Sequence, residues 1–395
     1  MAIPMEHPQN FAEPQALALY LHVPYCRRRC SYCDFNAHVL PQGVDDPFAD
    51  YAGALLQDIG AQQPSPVASI FWGGGTPSLM PEEHFRRASR AVAEKFELSR
   101  ELEHTIEANP GTITEGKFET FLECGVNRLS LGAQSFQREQ LELVGRIHNS
   151  GEIMTAVQAA RRAGFSNISL DLIYGFPQQT VEHWKDTLQR ALELEPQHLS
   201  VYQLTVEPST RLEAQLAQGE LSLPEEEVML AMDEWAESTL STAGFTRYEI
   251  SNWARPGFEC RHNLHYWRDL PYLGLGCGGV SFLNGWRIER IKAPVYYQRA
   301  LSAGRSPVVF AERRGSDGAL KDHLMMALRV TEGISEAELC ERYPGLNGVQ
   351  LRAFFERLSE DWWSFEEGRY RLTRRGWDFH SEVVMELMNV LFSFS

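Results

Sequence analysis

The chain has no apolar run long enough to cross a bilayer, and Met1 to Ala16 shows no basic stretch followed by an apolar core. Neither a membrane-spanning helix nor a secretory leader is expected. Positive charge is scarce: 37 Lys and Arg stand against 53 Asp and Glu, a formal charge of −16. A nucleic-acid backbone asks for a basic face, so no nucleic-acid partner is expected. Cysteine is sparse, with seven in 395 residues. Cys124, Cys260, Cys277 and Cys340 are scattered among apolar or glycine neighbours and read as small buried residues of a reducing, cytoplasmic compartment. No Gly-x-Gly-x-x-Gly follows the first apolar segment, which removes the main support for a doubly wound dinucleotide fold.

The other three cysteines are concentrated. In Tyr20-Leu-His-Val-Pro-Tyr-Cys26-Arg-Arg-Arg-Cys30-Ser-Tyr-Cys33-Asp-Phe35 they lie in one short loop after an apolar run. Thiols spaced four and then three apart can converge on a metal centre, but three are one short of the four that close an iron–sulfur cluster or structural zinc site. A four-iron cubane held this way keeps one iron open to an outside ligand. A zinc ion completed by His22, His38 or Asp34 is the alternative; zinc motifs usually pair C-x-x-C with a second, distant ligand pair, so the cluster is favoured. Disulfides between such close neighbours would be strained. Arg27, Arg28 and Arg29 are either a solvated face or an attraction for anionic groups at the site mouth.

From residue 17 to 205 a βα rhythm repeats. Strands are expected over 17–23, 68–72, 104–108, 128–132, 168–174 and 198–204, and helices over 48–62, 81–96, 114–123, 152–163 and 180–194. Six such units suit a partial (β/α)6 TIM-like barrel, an α/β fold whose chemistry belongs at the carboxyl ends of the strands. There the sequence places the cysteine loop, Gly73-Gly74-Gly75-Thr76-Pro77, Glu107-Ala-Asn109-Pro110, Gln134-Ser-Phe136 and Tyr202-Gln203, with Asp171 inside the fifth strand. One glycine-rich turn would mean little. Polar or glycine punctuation at the same end of six strands describes a rim lined for a ligand.

With these motifs on the page, the chain resembles the radical S-adenosylmethionine superfamily, whose signature is Cys-x-x-x-Cys-x-x-Cys. Within it the chain looks like the anaerobic coproporphyrinogen III oxidase group, and most like that group's haem-chaperone branch. GGGTPS, EANPGT, NRLSLGAQSF, GRIH, DLIYGFP and LSVYQLT carry the likeness along nearly the whole chain. The resemblance implies a 4Fe–4S cluster on Cys26, Cys30 and Cys33. It implies S-adenosylmethionine on the open iron, cleaved on reduction to a 5′-deoxyadenosyl radical by chemistry that belongs to the cofactor. Positions matching Thr76, Glu107, Gln134, Arg146 and Asp171 contact that cofactor in the family. Tyr20 matches a tyrosine near its substrate side, and Tyr32 lies beside the adenine region. Gly74 and Gly75 suit close approach of backbone to the methionine moiety. His148 is undecided between packing and function, and His22 reads as a satisfied core histidine.

Two departures separate this chain from the oxidases of that group. They carry a fourth cysteine two residues after the third, where this chain has Phe35, and a longer N-terminal segment. Coproporphyrinogen decarboxylation is thereby put in doubt and enzymatic activity left open. Downstream, His262-Asn263-Leu-His265-Tyr266-Trp267 matches a His-Asn-x-x-Tyr-Trp motif associated with haem binding in the chaperone branch. An imidazole can ligate haem iron and the aromatics can face a macrocycle; a packed connector is the plainer reading. His265 and Cys260 are the second and third candidate ligands. The resemblance implies haem as cargo, with haem-requiring apoproteins, a membrane-associated acceptor among them, as partners. The expected organisation is a tail at 1–16, the barrel at 17–210, a connecting haem-motif region at 211–311 and a C-terminal, mainly helical, winged-helix-like domain at 312–395, read as a lid or partner surface.

Overall fold

A computed structural model describes residues 15–392; of the expected tail at 1–16, residues 1–14 lie outside the described residues. Six strands, β1 (Leu17–Val23), β2 (Pro66–Gly74), β3 (Glu97–Ala108), β4 (Arg128–Gln134), β5 (Ile168–Tyr174) and β6 (His198–Gln203), run parallel as neighbours in that order. Helices Ala49–Gly60, Glu82–Lys95, Glu115–Glu123, Ser150–Ala163 and Val181–Glu193 make the crossovers. Their ends follow local chemistry. Asn149 and Thr180 close capping boxes with Glu152 and His183, and Gly164 stops its helix at φ 119°.

The alternation of the strands sorts their residues between two environments. Leu19, Leu21, Ile70, Trp72, Ile106, Leu129, Leu131, Leu170 and Leu172 point outward and form the core beneath the helices. Each fully buried aliphatic chain contributes about 1.5–3 kcal/mol. The opposite parity, including Tyr20, Phe71, Glu107, Arg128, Ser130, Asp171 and Ser200, points inward and lines a cavity. Ligand chemistry and packing thus occupy alternate residues of the same strands.

The sheet does not stop at six. Beyond β6 lie β7 (Thr246–Glu249) and β8 (Asn252–Ala254), with β8 antiparallel against β6. On the other edge β9 (Tyr272–Leu275) pairs parallel with β1, followed by antiparallel β10 (Val280–Leu283), β11 (Trp286–Arg290) and β12 (Val308–Arg313). The stretch 211–311, expected to connect two units, therefore completes the barrel sheet at both edges. The glycines of 274–279 make this possible: a Cβ on Gly274 would stand 2.2 Å from the Val280 carbonyl oxygen. Strand β3 begins seven residues before its expected start, because Glu97–Leu102 extends past the helices with its charges in solvent.

The charged segment expected as a connector at 312–317 ends β12 and leads into helix Ser316–Ala327. With helices Glu336–Arg342 and Gly348–Phe355 and a three-stranded sheet, it encloses a second core around Leu324, Phe354, Phe355 and Tyr370. Asp269, buried near the barrel, accepts from Arg314 at 3.0 Å and Arg342 at 2.7 Å and fastens the two cores together. Among the described residues no helix is long and apolar enough to cross a membrane.

Candidate metal centre and adjoining cavity

The three-cysteine loop is held at its base by a short parallel pairing of Tyr25–Cys26 with His38–Val39. Ser31 anchors its middle, donating its N–H to the Val144 carbonyl at 3.0 Å and accepting from Leu212 at 2.8 Å. Cys26, Cys30 and Cys33 line one cavity of about 130 Å³ together with Gly74, Gly75, Thr76, Glu107, Gln134, Arg146, Asp171 and Tyr32. Of the residues expected to contact S-adenosylmethionine, only Tyr20 lies outside this lining. It stands in the adjoining, larger cavity of about 510 Å³. Phe35, Gly74, Glu107 and Asp171 line both, so the two spaces meet inside the barrel.

Burial pushes the Cys26 thiol up to about 11 and raises Cys33 also. Arg146 is the cation set against them, with Nη1 3.7 Å from Cys30 Sγ and a sealed Nε that has no hydrogen-bond partner. A guanidinium held against thiols suits an electron-rich, negatively charged cluster, and these residues fit such a group. Zinc fits less well. Two of the three proposed completing ligands are committed elsewhere: His22 contacts Tyr20 Oη at 3.1 Å and the Asn36 carbonyl at 2.9 Å, and His38 contacts Asn36. Among the described residues no three histidine, cysteine or carboxylate side chains gather tightly enough for one ion. Arg28, Arg29 and Arg211 line an open depression beside Cys30 and Cys33, which places positive charge at the mouth.

Gly74 has φ 116°, and a Cβ there would stand 2.5 Å from the His22 ring; one on Gly75 would meet the Pro24 and Tyr25 backbone at 2.8 Å. The chain's own packing against the cysteine loop is what demands these glycines. Gln134 ends β4 at φ 66°, a strained conformation for a non-glycine residue, and lines the thiol cavity. His148 contacts Asn109 Oδ1 and the Ala133 carbonyl, both at 3.1 Å, and pins the ends of β3 and β4 together, a packing role. Asn109, named on the expected rim, lines the thiol cavity, and so does Gly132, which escaped the sequence reading. The parity of Gly132 with Arg128 and Ser130 along β4 was the available signal.

Glu107 accepts from the Gly74 N–H at 3.1 Å, yet burial, aided by the like charge of Asp171, lifts its carboxyl to about 8. A carboxyl raised in the folded state favours folding while protonated, so its contribution is present at low pH and lost as pH rises from about 4.5 to about 8. Urea unfolding of the unloaded protein is expected to weaken across this window by up to about 1.4 kcal/mol per pH unit, tempered by cavity water. Glu107→Gln should flatten that slope; an unchanged slope would show that another group carries it.

Helix Arg261–Trp267 closes the barrel floor. The Glu103 carboxylate caps it, accepting the N–H of Arg261 and of His262 at 2.9 Å each. His262, Asn263 and Tyr266 line the larger cavity. The His262 ring stacks on Phe71 and has both nitrogens engaged, by Ser69 Oγ at 2.9 Å and Tyr266 Oη at 3.0 Å; burial lowers it to about 3, so it is neutral. The other three candidates point elsewhere. His265 contacts the Pro271 carbonyl at 2.7 Å, Trp267 lies under Arg329, and the Cys260 thiol, raised to about 12 by burial, reaches Glu103.

The Radical SAM superfamily matches residues 20–191. The chain is 40% identical to the haem chaperone HemW of Haemophilus influenzae over 72% of its own length and 76% of that protein's. It is 37% identical to HemW of Synechocystis, covering 87% and 84%, and 35% identical to HemW of Escherichia coli, covering 89% and 95%. Among solved structures, coproporphyrinogen III oxidase (HemN) from Escherichia coli shares the fold, with a TM-score of 0.81 at 23% identity over 94% of this chain and 90% of that one.

Proposed function

We propose, on the premise that this chain belongs to the haem chaperone HemW family within the radical SAM superfamily, that it takes up haem and delivers it to apoproteins that need it. The observation that carries this reading is the junction of the two cavities. An aromatic-walled space bearing His262, Asn263 and Tyr266 opens directly onto the three-thiol space.

In this reading Cys26, Cys30 and Cys33 hold a 4Fe–4S cluster. Tyr20, Tyr32, Gly74, Gly75, Thr76, Glu107, Gln134, Arg146 and Asp171 surround S-adenosylmethionine. When bound, these two supply one-electron reductive chemistry at a sulfonium centre. The chain's own contribution is positioning. Arg146 balances charge beside Cys30, the Glu107 and Asp171 carboxyls face hydroxyl or ammonium groups of the ligand, and the inward aromatics keep water from a flat ligand.

His262 is the proposed haem ligand, with Asn263 and Tyr266 beside the cargo; Trp267, expected there from the motif, faces Arg329 instead. Ligation through Nε2 requires Tyr266 to release that nitrogen. Haem titration of the anaerobically reconstituted protein should give a defined absorbance band, shifted and weakened about tenfold in affinity in His262→Ala. An unaltered band and affinity would remove His262 as the ligand. Tyr266→Phe, which frees Nε2 and keeps the ring, is expected to strengthen binding. The same preparation, given reductant, S-adenosylmethionine and coproporphyrinogen, should show no enzymatic turnover; turnover would replace the carrier reading by the oxidase reading that Phe35 argues against.

A further inference from the structure

Arg128 opens β4 at the sequence Asn127-Arg128-Leu129. Its inward parity puts the side chain inside the barrel, where it is 2% exposed and lines the larger cavity. A guanidinium so deep normally has a bidentate carboxylate partner, because an unpaired buried charge is costly. Among the described residues Arg128 makes no ion pair, and its sealed Nε has no hydrogen-bond partner. The carboxylates in its field are otherwise engaged. Glu103 caps the floor helix through two backbone N–H groups, and Asp171 accepts from Ser130 Oγ at 3.1 and 3.2 Å. Burial works against the guanidinium's charge, while Cys260, Glu103 and Asp171 nearby favour it without occupying its donors.

The register shows how deep this cation sits. Arg128 pairs with Thr105, whereas Glu107 pairs with Ser130, so Arg128 lies two residues, about 7 Å, farther from the thiol rim than Glu107. The cavity therefore has an acidic end at the junction with the thiol space and a basic end toward the floor. Between them stand the rings of Tyr20, Phe71, Tyr266 and Tyr272. A flat molecule bearing carboxylate groups would lie between these rings with its anionic end down.

We infer that Arg128 is the anchor for a carboxylate of the cavity's ligand, fixing which edge of a flat, acid-bearing macrocycle enters first. The inference rests on the haem reading given above, where the carboxylates are the two propionates. It assigns Arg128 a binding role, separate from iron ligation by His262.

The test compares haem with its propionate dimethyl ester, titrated into the reconstituted full-length protein in one detergent-containing buffer. Wild type should bind the diacid at least about tenfold more tightly, the scale of a charge-assisted hydrogen bond. Arg128→Gln should bind both forms alike, and Arg128→Lys should recover part of the preference. If Arg128→Gln does not fold, Arg128→Met keeps the apolar stem and takes its place. Equal affinity of wild type for both forms, or a preference that survives in Arg128→Gln, overturns the anchor while leaving the haem reading intact. Failure of wild type to bind either form overturns the haem reading itself and the anchor with it.

Discussion

Serine in place of Cys26, Cys30 or Cys33, one at a time, is expected to cut the iron and acid-labile sulfide retained after anaerobic reconstitution by about tenfold or more. The figure is a lower bound, since loss of a residue that merely orients a metal ligand already costs about 10–100-fold in metal affinity. The histidines of the loop base are committed, since His22 and His38 are hydrogen-bonded there, and Arg146 beside Cys30 cannot act as a ligand. Cys124→Ala and Cys340→Ala serve as controls, because those thiols are half-buried in other parts of the fold and should leave the cluster content unchanged. Urea unfolding of each unloaded variant would show that the chain still folds. Retention of iron and sulfide in any of the three serine variants would sink the assignment, and with it the reading of Thr76, Gln134 and Arg146 as neighbours of a bound cofactor.

A second large effect is expected far from the thiols. Asp58, on the helix between β1 and β2, is 1% exposed, and its carboxylate accepts from Arg290 Nε at 2.9 Å, Tyr297 Oη at 2.9 Å and the Gly276 N–H at 3.1 Å. All three donors belong to the stretch that carries β9 and the strands beyond it. One carboxylate therefore ties the first crossover helix to the seventh parallel strand. Asp58→Ala would leave a buried guanidinium, a phenol and a backbone N–H without their acceptor, and should cost about 3–5 kcal/mol in urea unfolding. The tighter the fit, the larger the loss: Tyr51 of the same helix packs beside Tyr297 and donates to the His22 carbonyl, so the damage should reach the base of the cysteine loop. Asp58→Asn, which keeps an acceptor and loses the charge, should cost less. A loss below about 1 kcal/mol for Asp58→Ala would mean that water replaces the carboxylate and that the edge strands do not depend on it.

The rim was largely readable in advance because a parallel βα chain brings the carboxyl ends of its strands together whatever their separation in sequence. Cys26, Gly74, Glu107, Gln134 and Asp171 span some 145 positions, yet each carries a local sign: a thiol, glycine or polar residue near the end of an apolar strand or, for Asp171, a carboxylate set inside one. The reason for Gly74 and Gly75 was not readable. Close approach by a ligand was expected, and the structure shows His22 and the Pro24–Tyr25 backbone filling the space a Cβ would need. Such contacts join residues about fifty positions apart, beyond any local pattern. The connector expected over 211–311 went the same way: β7 to β12 are three to six residues long, too short to show a period, and only the pairing of β8 with β6, of β9 with β1, and of the rest onto these makes them strands.

The sequence alone determined the three-thiol loop, the parallel βα order and the family, because those depend on residue identity at short range and on alternation along single strands. Tertiary structure alone decided which side chains share an enclosure. It turned His262, Asn263 and Tyr266 toward the cavity and His265, Trp267 and Cys260 away, and it left Arg128 buried without an ion partner among the described residues. Those outcomes depend on the pitch of a floor helix and the register between strands, and both are set when distant segments bury their apolar faces together.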